Sequence, residues 1–127
     1  MIVIAIIGIL AAILTPVMIR ARFKAYHTAC VQNERNLASA LELYAIESRG
    51  LYPADLNTLV NGARPFIQSI EACPSNGETY DTTYTAAADY KQYVLACPGV
   101  HEAQLVGLVD DLYPQAVDGQ IYPYRAP

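Results

Sequence analysis

The sequence predicts an α+β fold in which one long N-terminal helix packs against a small antiparallel head. Three observations carry this. Residues 1 to 19 contain no charged side chain. A helix-spaced stripe continues beyond them to about residue 44, and the rest of the chain reads as short alternating segments set between turn residues.

The apolar run comes first. Nineteen residues at about 1.5 Å each reach roughly 28 Å, close to the thickness of a bilayer's hydrocarbon core. Eleven of the nineteen are Ile, Leu or Val. On an insertion scale these contribute about −3 to −6 kcal/mol, before Gly8, Thr15 and Pro16 subtract from it. A cleaved secretory signal has a shorter apolar core and a polar mature chain behind it. Here the run leads directly into another helical pattern. A chain of 127 residues is also too small to enclose such a helix on every side.

Phe23, Tyr26, Cys30, Leu37, Ala40, Leu41 and Tyr44 follow in steps of three, four or seven, which place them on one face of a helix. A single helix is therefore expected from the apolar run to about Ser48, with Gly50 in the left-handed position beyond its end. Pro16 lacks a backbone donor and crowds the carbonyl of Ala12, so a bend is expected between Gly8 and Pro16. The chain divides into residues 1–19 as membrane or filament-core helix, 20–49 as its amphipathic continuation, and 50–127 as a globular head.

In the head, Leu56, Leu59 and Val60 predict a short helix that stops at Asn61-Gly62. Ser75-Asn76-Gly77 reads as a turn. Tyr80, Thr82 and Tyr84 alternate on one expected strand, and Tyr93, Leu95 and Cys97 on a second. After His101 the chain is rich in turn residues, including Asp118-Gly119, with Gln120 to Tyr122 as a last strand. Ten tyrosines and no tryptophan supply amphipathic surface for packing between strands and between subunits.

Charge separates two regions. Arg20, Arg22, Lys24 and Arg35 against Glu34 leave +3 on residues 20–35, whereas residues 36–127 carry −7. An acidic head argues against nucleic acid as its own ligand, because phosphate neutralisation needs clustered Lys and Arg. The basic collar suits lipid headgroups or the acidic surface of another copy.

Three cysteines leave an odd one over. Cys73 and Cys97 flank the two expected strands at a spacing compatible with a disulfide, which would close about 25 residues, stabilise the head by roughly 3 kcal/mol, and imply an oxidising compartment. The alternative is a metal site using Cys73, Cys97 and His101. Against it stand the count of three candidate ligands and the lack of a Cys-x-x-Cys pair. Cys30, on the helix stripe, reads as a buried free thiol behaving as a small hydrophobe. His101 follows Cys97 by four residues, fails the Cys-x-x-Cys-His haem pattern, and reads as a turn or packing residue.

No nucleophilic triad, glycine-rich phosphate loop or other convergent polar set stands out, so neither an enzyme nor a cofactor is expected. Asp110-Asp111 reads as a solvated acidic turn, and Asp110, Asp111 and Asp118 fit no EF-hand spacing for calcium.

Met1 to Ile13, with the helical Pro16 and the basic Arg20, Arg22 and Lys24, resembles the type IV pilin and pseudopilin family. Gly50-Leu51-Tyr52-Pro53, followed by Leu56 and Leu59, is similar to the family's turn from helix to head. Cys73-Pro74, Gly77 to Tyr80, Tyr93, Cys97 and His101 resemble a subgroup, some of whose members belong to competence systems. The family's leader peptide, its cleavage site and the glutamate near its mature N-terminus have no counterpart here, which departs from the family's pattern. The positive-inside rule would place Arg20 to Lys24 in the cytoplasm. The resemblance places the head on the other side.

The resemblance implies a structural subunit stored in the bacterial inner membrane, its head in the periplasm or outside, and assembled by an ATP-driven machine into a pilus or pseudopilus. Its partners would be membrane lipid, the assembly machinery and copies of itself. Ile2, Ile6, Gly8, Leu10, Ile13 and Pro16 would carry helix packing and assembly, and Gly50, Tyr52 and Pro53 the turn into the head. The rival reading is a monomeric, membrane-tethered extracytoplasmic binding module, which would not require a long amphipathic continuation of its anchor.

Overall fold

A computed structural model describes residues 1–99, 101 and 114–123. Asp110 and Asp111 lie outside the described residues. The first helix, α1, runs over Ile2–Glu47 without interruption, about 69 Å at 1.5 Å per residue. It stays helical through Pro16. Immediately before the proline, the Thr15 hydroxyl donates one turn back to the carbonyl of Ala11 at 2.7 Å.

At its other end α1 closes with the geometry of a Schellman motif. The Gly50 amide donates to the Ala45 carbonyl at 2.7 Å, and the Ser48 amide to Tyr44 at 2.8 Å. Both Arg49 (φ 61°) and Gly50 (φ 84°) are left-handed. The first residue past the cap is thus Arg49, and Gly50 takes the second left-handed position. The chain turns here as the sequence predicts. Tyr52 donates from its amide to the Tyr90 carbonyl at 2.7 Å and from its hydroxyl to Glu42 Oε1 at 2.9 Å. The Pro53 carbonyl accepts from Tyr84 at 2.6 Å.

A short helix, α2 (Asn57–Asn61), follows and buries Leu59. Among the described residues four strands, β1 (Thr85–Ala86), β2 (Tyr93–Ala96), β3 (Gln115–Val117) and β4 (Gln120–Tyr122), are joined antiparallel in the order β1-β2-β3-β4. Asp118 (φ 47°) and Gly119 (φ 80°) turn β3 into β4, with Val117 opposite Gln120. Two consecutive positive φ values are what a two-residue hairpin of this hand requires.

The expected strand over Tyr80, Thr82 and Tyr84 is a correction. Tyr80–Thr82 forms a 3-10 turn, and pairing begins only at Thr85. Threonine explains the difference: Thr82 Oγ1 donates to the Thr79 carbonyl at 3.0 Å and Thr83 Oγ1 to the Tyr80 carbonyl at 3.2 Å. Such local bonds offer the backbone an alternative to a ladder.

The core is one cluster. Cys30, Leu37, Ala38, Ala40 and Leu41 of α1 meet Leu56, Leu59, Cys73, Tyr80, Tyr93, Leu95, Cys97 and Ala116. In β2, Tyr93 and Leu95 are buried at alternate positions, as a strand with one face on a helix requires. The stripe from Cys30 to Leu41 is therefore the buried face of α1. Phe23 and Tyr26, nearer the N-terminus, are only half-buried.

Candidate functional site

Two features of the chain stand apart from ordinary packing: a bare apolar helix and a buried group of thiols. From Ile2 to Ile19 the large apolar side chains of α1 are all more than half exposed. The helix is long and apolar enough to cross a membrane, and none of its most apolar window is buried. Ile2, Ile6, Leu10 and Ile13 all lie on this exposed stretch, and a Cβ at Gly8 would meet nothing within 4 Å.

The second feature is assembled from four places in the chain. Cys30 projects from the buried face of α1. Cys73 opens a turn in which its carbonyl accepts from the Gly77 amide and its own amide donates to the Glu78 carbonyl, both at 2.8 Å. Cys97 directly follows β2, and His101 lies four residues on, beyond the Pro98-Gly99 turn. The cysteines are 0% exposed and His101 is 1% exposed.

Their side chains converge. Cys30 Sγ lies 3.4 Å from Cys73 Sγ, and Cys97 Sγ 3.5 Å from Cys73 Sγ. His101 Nε2 lies 3.0, 3.4 and 3.2 Å from the sulfurs of Cys30, Cys73 and Cys97. All four donor atoms fall within 4.8 Å of one another. Further donors point at the sulfurs: Ser75 Oγ is 3.0 Å from Cys73 Sγ, and the Gly99 amide donates to Cys97 Sγ at 3.5 Å.

This arrangement bears on three sequence expectations. The sulfurs of Cys73 and Cys97 stand 3.5 Å apart and unbonded in this structure, and the chain brings a third sulfur and an imidazole to the same point. His101 is more than a turn or packing residue, since its Nε2 touches all three sulfurs. Cys30 is buried as expected, yet it faces polar partners instead of behaving as a small hydrophobe. Sequence spacing could not reveal this group, because its members are separated by 43, 24 and 4 residues and only folding joins them.

The electrostatics are those of a crowded thiol group. Hydrogen bonds from Cys30 and Cys97, with smaller contributions from His101 and Ser75, outweigh burial and hold Cys73 well below the usual thiol range. Cys30 is pushed up to about 12, chiefly by its bond to Cys73. Cys97 also moves up, through Cys30 and Cys73 and then burial. One sulfur thus carries negative charge most readily, and its neighbours stabilise it as donors.

Glu34 sits one helical turn beyond Cys30, fully buried, and among the described residues neither carboxylate oxygen has a hydrogen-bond partner. Burial, with the charge at Cys73 second, pushes it up to about 9. The stripe read from the sequence skipped this position, because a glutamate carries no signal for the core.

No family model, curated protein or solved structure matches the chain.

Proposed function

We propose that this chain is a structural subunit of a pilus-like filament, held in a membrane by residues 1–19 before assembly and joined afterwards to copies of itself through the same helix. One observation carries the reading. A single unbroken helix is bare over its charge-free half and forms the core of the head over its second half. A bare apolar helix needs a cover, and both lipid and neighbouring helices provide one without exposing it to water. Because the helix is continuous, displacing the anchor along its axis displaces the head with it, as transfer from bilayer to filament requires. The resemblance of residues 1–13 and Pro16 to type IV pilins and pseudopilins supports the same reading. It places the subunit in a bacterial inner membrane, with its head in the periplasm or outside.

The role is mechanical rather than catalytic. The contact residues proposed are Ile2, Ile6, Gly8, Leu10, Ile13 and Pro16, with the lipid, the assembly machinery and further copies as partners. The test replaces Ile9 by a photo-cross-linking amino acid in the native host. Irradiation should give a ladder of multiples of this chain, and Ile6→Asp should abolish it, since a charge at a helix centre costs about 3 kcal/mol in the membrane. Cross-links to lipid alone, with normal membrane levels and no ladder under conditions that produce surface filaments, would leave a monomeric tethered module as the better reading.

A further inference from the structure

We propose that Cys30, Cys73, Cys97 and His101 form a structural zinc site that ties the long helix to the head. The donor set points to this site independently of the filament reading. Three sulfurs and one imidazole nitrogen, all at most 1% exposed, stand within 4.8 Å of one another. A tetrahedral zinc with ordinary bond lengths separates sulfur from sulfur by about 3.8 Å and sulfur from nitrogen by about 3.6 Å. The five separations given above span 3.0 to 3.5 Å. These five pairs need to open by only a few tenths of an ångström to take one ion, and the sixth pair, Cys30 Sγ and Cys97 Sγ, lies within 4.8 Å.

Donor chemistry selects the metal. Thiolates and an imidazole in tetrahedral array suit zinc, whereas magnesium, calcium and manganese prefer oxygen. A set of four buried protein donors leaves no position for water or substrate, which marks a structural site rather than a catalytic one. A disulfide accounts for the geometry less well. Joining any two of the sulfurs would leave the third, together with His101 Nε2, buried against the bond without a role.

The surroundings fit. Thiolate ligands accept hydrogen bonds, and Ser75 Oγ and the Gly99 amide are in place to supply them. Position 99 admits only glycine, since a Cβ there would lie 2.5 Å from Cys73 Sγ and collide with Ser75 Oγ. Among the described residues, His101 Nδ1 has no hydrogen-bond partner. Coordination through Nε2 would leave the proton on Nδ1, and the acceptor that ordinarily receives it at a zinc site is not among the described residues. In the binding step Zn²⁺ gains three Zn–S bonds and one Zn–N bond. The thiol protons pass to solvent, no electrons are transferred, and the complex carries a net charge of −1.

The test uses the full chain in a non-ionic detergent, purified under reducing conditions. Elemental analysis should find about one zinc per chain, and replacement by Co²⁺ should give the visible bands of a tetrahedral thiolate complex. Cys30→Ser should weaken Co²⁺ binding at least about tenfold. That variant discriminates between the alternatives, because a Cys73–Cys97 disulfide would not need Cys30. Gly99→Ala should weaken binding as well. Failure to bind Zn²⁺ or Co²⁺, a Co²⁺ spectrum without thiolate bands, or unchanged affinity in Cys30→Ser would overturn the proposal. So would metal-free protein containing a Cys73–Cys97 disulfide when isolated without reductant. Should Cys30→Ser not fold, the Co²⁺ spectrum of the unmodified chain decides the question alone.

Discussion

Glu34 makes the folded chain prefer acid, and the size of the effect follows from its surroundings. Its carboxyl is fully buried and, among the described residues, has no hydrogen-bond partner. The folded chain therefore holds the proton up to about pH 9, against an ordinary value of 4.5 for the unfolded chain. A carboxyl whose folded pKa is raised contributes stability that is fully present below the unfolded value. That contribution is lost as pH climbs towards the folded value. At about 1.4 kcal/mol for each pH unit, raising the pH from 4.5 to 7 should cost this group roughly 3 kcal/mol of stability. Above pH 9 the loss levels off.

Two substitutions separate the causes. Glu34→Gln keeps the shape and removes the proton, so the pH-dependent part should vanish while an unsatisfied buried amide remains. Glu34→Met removes both and should be the most stable of the three at pH 8, by a few kcal/mol over the unmodified chain. Urea unfolding of the full chain in detergent, followed by tyrosine fluorescence between pH 5 and pH 8, measures the difference. The quantity of interest is the gap between variant and unmodified chain at each pH, in which the titration of the thiols largely cancels. A gap that stays constant from pH 5 to pH 8 would refute the reasoning, because it would mean that Glu34 finds a partner or solvent in the folded state.

Three further outcomes are expected. Leu41→Ala, at a 0% exposed position, should cost about 2–5 kcal/mol, whereas Leu43→Ala, 53% exposed two residues on, should stay within about 0.5 kcal/mol; urea unfolding compares them. Gly119→Ala should cost about 1 kcal/mol or more, because position 119 has φ +80° and the new Cβ would lie 3.0 Å from Glu42 Oε1; a lower thermal midpoint would report it. A head beginning at Arg22 should be soluble and folded, since the first buried residue is His27 and the core cluster starts at Cys30, while the full chain should require detergent. Expression of both chains with circular dichroism tests this, and a fully soluble monomer of the complete chain would refute it.

Much of this fold was legible in the sequence because its signals are local. The uncharged run, the 3.6-residue stripe and Gly50 located α1 and its end to within two residues. Asn61-Gly62, Ser75-Asn76-Gly77 and Asp118-Gly119 placed turns that the backbone makes, the last of them with the left-handed pair its hairpin needs. Strand β3 went unread: Gln115-Ala116-Val117 is too short to show a period, and only its pairing with β2 and β4 makes it a strand. Tyr80 to Tyr84 misled in the opposite direction, because alternation suggested a strand while threonine hydroxyls favoured a turn. The thiol group failed to appear for a different reason. The pairing of Cys73 with Cys97 treated Cys30 as a leftover, although Cys30, Leu37 and Leu41 had already been assigned to the helix face that packs on the head. That face was the available signal: a cysteine on it must point to where the head's own cysteines lie.

Cys30 is where the two proposals meet. Three of the four proposed ligands belong to turns of the head, and the fourth belongs to the helix that would be drawn out of the membrane. Tension applied to the apolar part of α1 passes along hydrogen bonds of the helix and meets its first buried residues at His27 and Cys30. Apolar packing resists sliding only weakly at any one residue, because each lost contact is replaced by a similar one a turn further on. A metal–thiolate bond has no such substitute neighbour, so a link at Cys30 would carry load at the place where the helix enters the head. The hydrophobic face from Leu37 to Ala45 would then be sheltered from the pull. On this argument, loss of the Cys30 ligand should weaken the helix–head junction under force more than it lowers equilibrium stability. Single-molecule pulling on the N-terminus of the unmodified chain and of Cys30→Ser compares the two. Equal detachment forces would separate the metal site from any mechanical role.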